Sequence, residues 1–208
     1  FEVTTFSADD AKRNEMYKQN AERAKMQTQF TDYGAFLDSL EMHAEIEHFD
    51  PMYIGRITQL TNKSNQFNLT TKRYTESEMK TVMDSKNHIA FYGRLIDKFG
   101  DNGIVSIVIG EVKQAALHID LWLMSCRVLK REMEFAMFDE VVKACETQNL
   151  ATIYGYYYPT AKNSMVKDFY AALGFEKTSE DDMGNSVWKY MVAEHKRKNT
   201  HICVNEQE

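Results

Sequence analysis

The chain of 208 residues carries 31 acidic against 25 basic side chains, a formal charge of −6, with 43% hydrophobic and 12% aromatic residues. Such a chain can bury a full core without a structural metal, and its acidic balance excludes nucleic acid as the main partner, since phosphate binding needs a basic face. No apolar run approaches the roughly 20 residues of a membrane span, and three scattered cysteines (Cys126, Cys145, Cys203) make no disulfide framework, which points to a reducing cytoplasm.

The segment Phe1–Phe6 reads as the interior of a longer protein, so the chain is expected to be a fragment. Ser7 and Asp10 open a polar helix reaching about Gln29, with a thin apolar stripe at Tyr17, Ala21 and Ala24. A second short helix carries Phe36, Leu37 and Leu40. Met42, Ala44 and Ile46 alternate with polar residues and predict a strand. Asp50-Pro51 supplies a cap and first position for a helix with Tyr53, Ile57 and Leu60 on one face. After a polar stretch over 62–71, Thr75 and Glu78 form a capping box for a helix holding Met79, Val82 and Met83.

From Ile89 the pattern turns to strands. Ile89–Asp97 leads into the turn signal Gly100-Asp-Asn-Gly103, and the apolar run Ile104–Ile109 predicts a central strand covered on both faces. Ala116–Ser125 is a further strand, followed by a helix of roughly 18 residues from about Val128. Ala151–Tyr158 is a strand, Asn163–Leu173 a helix closed by Gly174, and a last hairpin turns near Asp182–Asn185 before Val187–Val192. The polar residues after Lys196 predict a frayed tail. This order is α+β rather than doubly wound. It divides into a helical lead-in with one short strand (1–64), a main domain (65–195) and a polar tail (196–208).

The element order resembles the GNAT acyltransferase fold: a central mixed sheet flanked by helices, here with an N-terminal helical lead-in. Five blocks narrow the likeness. Arg56-Ile-Thr-Gln-Leu-Thr-Asn-Lys-Ser-Asn-Gln-Phe-Asn-Leu-Thr-Thr-Lys-Arg-Tyr74, Phe99-Gly-Asp-Asn-Gly103, Ser125-Cys-Arg-Val-Leu-Lys-Arg131, Pro159-Thr-Ala-Lys-Asn163 and Phe169-Tyr-Ala-Ala-Leu-Gly-Phe175 resemble the C-terminal region of FkbH-like proteins. That resemblance implies acyl transfer: such proteins load a glyceryl unit from 1,3-bisphosphoglycerate onto an acyl carrier protein. They carry a phosphatase-like HAD domain upstream, whose Asp-x-Asp motif does not occur in an early strand here. The implied partners are an acyl carrier protein and that upstream domain. The implied cofactor is the carrier's phosphopantetheine or an acyl-CoA, with no metal, because no His/Cys/Asp/Glu cluster has ligand spacing in sequence.

The GNAT likeness implies a pyrophosphate loop of the form Arg/Gln-x-x-Gly-x-Gly/Ala. It reads Arg127-Val128-Leu129-Lys130-Arg131-Glu132 here, with both glycines replaced. Backbone N–H groups at a helix start favour an anion, and Arg127, Lys130 and Arg131 supply charge in place of the lost close approach. Cys126, where a strand meets a helix start, is the candidate acyl-accepting nucleophile. His118 shares its strand face by parity but lies about 26 Å away at roughly 3.3 Å per residue, which excludes a dyad. Asn163 is the implied pantetheine contact and Tyr170, seven residues on along one helix face, the implied acid for the leaving thiolate. Each has a plain alternative: a buried inert thiol, a helix cap and a core tyrosine. The polar block Asn65, Gln66, Asn68, Thr70 and Thr71 either lines a groove or ties down its own loop.

Overall fold

A computed structural model describes residues 8–206. The readings made on Phe1–Phe6 and on Ser7 lie outside the described residues. Helices α1 (Ala8–Gln27) and α2 (Tyr33–Ser39) lead into β1 (Met42–His48), and α3 (Ile54–Lys63) and α4 (Glu76–Asp84) follow. Then come β2 (His88–Asp97), β3 (Gly100–Lys113), β4 (Ala116–Met124), α5 (Met133–Thr147) and β5 (Thr152–Tyr157). The chain finishes with α6 (Phe169–Ala172), β6 (Glu176–Glu180), β7 (Ser186–Met191) and β8 (Ile202–Val204). The strands form one mixed sheet in the order β6-β7-β5-β4-β3-β2-β1-β8. The α+β expectation with a central mixed sheet and helical lead-in holds.

Each face of the sheet has its own core. On one side α5 places Met133, Met137, Phe138 and Val141 against Leu95, Val105, Leu117 and Trp122. On the other, Ile54, Ile57 and Leu60 of α3 and Met79 of α4 cover Ile107, Ile109, Leu121 and Leu123. β3 alternates between these two layers, which is why its sequence is apolar on both parities. The capping box at Thr75 and Glu78 forms as expected, and Gly174 adopts φ of 90° just past α6.

Several boundaries differ from the sequence expectation. The helix expected from Val128 starts at Met133, because residues 126–128 make a 3-10 turn and both Lys130 and Glu132 are left-handed. Asp50 closes an Asx turn onto the Met52 amide at 2.7 Å, so α3 begins only at Ile54. The helix expected over Asn163–Leu173 breaks into a 3-10 turn at Ser164–Val166 and the single turn of α6. The tail is docked instead of frayed: β8 extends β1 in parallel, and the Asn205 side chain bonds both the N–H and the C=O of Ile46, at 2.8 and 2.9 Å. The helical lead-in is likewise pinned. Arg23 of α1 is buried, and its guanidinium grips Asp97 at 2.6 and 2.8 Å.

Candidate functional site at the β4–β5 fork

β4 and β5 are the neighbouring parallel pair at the centre of the sheet, and they part company early. Their ladder runs only from Ala116↔Thr152 to Ile119↔Gly155. At that point β4 bulges: Ile109 faces Leu121 and Gly110 faces Ile119, which leaves Asp120 as the extra residue. Beyond the bulge β4 follows β3 while β5 follows β7, and the two diverge. Crevices outside the carboxyl ends of parallel strands are common ligand sites in open α/β sheets.

Here the chain fills its own fork. Residues 67–70 enter between the diverging strands as a short pseudo-strand. The Leu69 N–H donates to Trp122 O at 3.0 Å, the Met124 N–H to Phe67 O at 3.0 Å, and the Tyr158 N–H to Leu69 O at 2.9 Å. The Thr70 hydroxyl donates to the carbonyl of bulged Asp120 at 2.7 Å. Phe67 and Leu69 turn into the α5-side core, where Phe67 meets the edge of Phe169 at 5.3 Å.

That insertion settles the fate of Asn163. Its amide donates to Asn68 O and Tyr158 O, both at 2.9 Å, and its oxygen accepts from the Thr160 N–H at 2.7 Å. It is fully buried and spends its capacity fastening the pseudo-strand to the end of β5, so it is not placed to contact a pantetheine. Tyr170 is also corrected. It is 1% exposed, lies flat on Gly155, where a Cβ would come within 2.4 Å of its ring, and burial raises its phenol far above the ordinary range. A hydroxyl enclosed in that core cannot protonate a leaving thiolate. The helical spacing that paired the two residues does not exist, because the intervening chain is not one helix.

The loop after β4 has left-handed backbone without glycine. Lys130 and Glu132, at the two glycine positions of the pyrophosphate pattern, have φ of 64° and 63°. Two of its backbone donors are spent within the loop: the Val128 N–H reaches Ser125 O at 3.2 Å and the Arg131 N–H reaches Val128 O at 3.3 Å. Val128 is fully buried and Leu129 packs against the same core. Arg131, expected as a phosphate ligand, is buried and bonds Asp97 at 3.0 Å, sharing that carboxylate with Arg23. Tyr33 donates its hydroxyl to the Lys130 carbonyl.

Cys126 is exposed, in the 3-10 turn after β4 rather than at the start of α5. Its cavity, of about 540 Å³, is walled by Lys63, Ser64, Asn65 and Gln66 on one side and by Met124, Ser125 and Lys162 on the other. Three of the sequence blocks that carried the resemblance therefore converge on one thiol. No histidine lines this cavity. His118 instead bonds the Tyr156 hydroxyl at 2.7 Å and stacks on Tyr154, with its pKa lowered by burial and then by Lys113. Sequence reasoning missed Lys63 and Phe67. Lys63 was hidden as an ordinary last-turn lysine of a helix, and Phe67 sat inside a stretch read as polar loop. It also missed a group the sheet assembles across three strands, His88, Glu111 and Asp120, whose ligand-type atoms lie within 4.8 Å of one another. Glu111 of that group is already paired with Lys113 at 2.8 Å.

No helix among the described residues is long and apolar enough to cross a membrane. No protein-family model matches the chain, and no curated protein sequence does. Solved structures match across most of it. The ribosomal-protein-S18-alanine N-acetyltransferase of Escherichia coli aligns with a TM-score of 0.54 at 11% identity, over 76% of this chain and 99% of that one. An acetyltransferase of the GNAT family from Streptococcus pneumoniae gives 0.55 at 13% identity, over 72% and 99%. The PaiA N-acetyltransferase of Thermoplasma acidophilum, in complex with coenzyme A, gives 0.52 at 12% identity, over 71% and 98%. At these identities the likeness is one of architecture, and the chain is built on the GNAT acetyltransferase fold.

Proposed function

We propose that this chain is an acyltransferase-type domain in which Cys126 takes up a small, glyceryl-type acyl group and hands it to the phosphopantetheine thiol of an acyl carrier protein. The observation that carries the reading is the exposed Cys126 thiol in a cavity built by the Lys63–Gln66, Met124–Cys126 and Lys162 segments. In the first step the Cys126 thiolate adds to the carbonyl carbon of an acyl phosphate, and the C–O bond to phosphate breaks with its electron pair leaving on phosphate. In the second, the carrier's thiolate adds to the resulting thioester and the Cys126 thiolate departs. Lys63 and Lys162 bring positive charge to the oxyanion that forms in both steps. With no histidine in the cavity, water removes the thiol proton. In this reading the carrier arm reaches Cys126 from outside, since residues 67–70 occupy the fork.

Acetyl-CoA-dependent N-acetyl transfer is a second reading, favoured by the likeness to a coenzyme A-bound N-acetyltransferase. It requires the pseudo-strand to leave the fork or the cofactor to bind elsewhere. Intact-mass spectrometry separates the two. Incubation with an acyl phosphate is expected to add one acyl mass to the native chain and none to Cys126→Ala, and holo carrier protein is expected to remove it. An adduct that persists in Cys126→Ala defeats the thioester relay. Tight calorimetric binding of coenzyme A by the same variant favours the second reading.

A further inference from the structure

Beside the Cys126 cavity lies another of about 750 Å³, bounded by α1, α3, the start of β3 and Arg127. Five cations line it: Lys12, Arg13, Arg56, Lys63 and Arg127. Two carboxylates face them, Asp9 and Asp101, and Asp101 is engaged by Arg94 at 2.5 Å. Lys63 lines both cavities, and Ser125, in the wall of the first, accepts a bond from Arg127 in the wall of the second.

Arg127 is the telling residue. Its guanidinium is half-buried, with Nε on Ser125 Oγ at 3.1 Å and Nη1 against Met16 Sδ at 3.5 Å. Neither partner is an anion. Burial, and then the charge of Arg56, push its pKa below the ordinary arginine value. Arg56, exposed on α3, donates to the neutral Gln59 amide oxygen at 2.6 Å. Charges taken out of water are normally paired, as Arg23 and Arg131 are on Asp97. Arg56 is solvent-exposed, so the half-buried Arg127 is the charge this concerns, and among the described residues neither has a carboxylate partner. An anion between them removes their mutual repulsion and fills guanidinium donors that suit phosphate oxygens.

We propose that this cavity binds a phosphate ester, held by Arg56, Lys63 and Arg127, whose far end reaches Cys126. The site is built of side chains from α3 and the 3-10 turn, not of the backbone amides of the loop that follows, two of which are spent within that loop. Its link to Cys126 rests on the thioester reading; the anion site itself does not. The phosphate belongs either to a short acyl donor or to the carrier's pantetheine arm.

Calorimetry on the whole chain at low salt tests this, with glycerol 3-phosphate and 4′-phosphopantetheine as probes and glycerol and pantetheine as uncharged controls. The phosphorylated probe is expected to bind at least about tenfold tighter than its control, and Arg56→Gln and Arg127→Gln each to weaken it about tenfold. Binding of glycerol 3-phosphate assigns the site to the donor; binding of 4′-phosphopantetheine alone assigns it to the carrier arm. Equal binding of probe and control overturns the proposal. So does unchanged binding by both variants when their melting temperatures match the native chain. If acyl capture at Cys126 fails while phosphate still binds, the relay falls and the anion site stands.

Discussion

At the scale of single residues, the loop after β4 separates what a motif's letters encode from what its backbone does. The glycines of the pyrophosphate pattern are absent, yet Lys130 and Glu132 hold the left-handed conformation that glycine adopts without cost. Burial of Val128 and the ion pair of Arg131 fix the turn from both sides and impose that conformation on whatever stands there. Lys130→Gly is therefore expected to stabilise the protein by about 0.5–1 kcal/mol, the relief of strain exceeding the added freedom of the unfolded chain. Urea unfolding with a higher midpoint and an unchanged slope is the measurement, and a lower midpoint refutes the strain argument. The exposure of Cys126 fits the strand-to-turn position that its sequence block gives it. Tyr170 does not share a helix face with Asn163 for a physical reason: a spacing of seven places two residues on one face only along an unbroken helix, and here a 3-10 turn and a further turn intervene.

At the scale of elements, most of the sheet and its helices were legible from periodicity, and the fork was not. Residues 67–70 alternate apolar and polar, but four residues inside a polar stretch carry too weak a pattern to announce a strand. Their partners lie on β4 and β5, far along the chain, so no local signal marks the pairing. The polar block does tie down its own loop, but through Asn163 and β4 as much as through neighbours. Asn163→Ala removes four bonds at a fully buried position, the longest from the Tyr157 hydroxyl at 3.5 Å, and strands the Asn68 and Tyr158 carbonyls. A loss of about 2–3 kcal/mol is expected, on the usual cost of buried groups left unsatisfied. Thermal and urea unfolding of the variant check it, and a loss under about 0.5 kcal/mol denies Asn163 its fastening role.

At the scale of the molecule, the two ends of the described chain embrace the sheet. α1 is held through Arg23 on Asp97, and the last strand covers the free edge of β1. Neither was legible, because α1 has only a thin apolar stripe and the last strand is three residues of a polar tail. Truncation after Lys196 removes buried Ile202 and Asn199 and uncovers the backbone of β1. It is expected to cost at least about 2 kcal/mol from the apolar surface alone and to promote dimers through the bared edge. Calorimetric melting and size-exclusion chromatography report the two effects, and a truncated chain as stable and monomeric as the full one refutes the coverage argument.

The filled fork bears on how the sheet comes together. β4 and β5 touch along four residue pairs, and the rest of their separation is bridged by a segment made well before either strand. The β1–β4 half and the β5–β7 half are thus laced by a segment whose partners lie far along the chain, a non-local closure of the kind that slows folding. In the native protein the same segment is a seam. The amide protons of Leu69, Met124 and Tyr158 are bonded across that seam, so a shared hydrogen-exchange rate is expected for them, and it would time how often the two halves come unlaced.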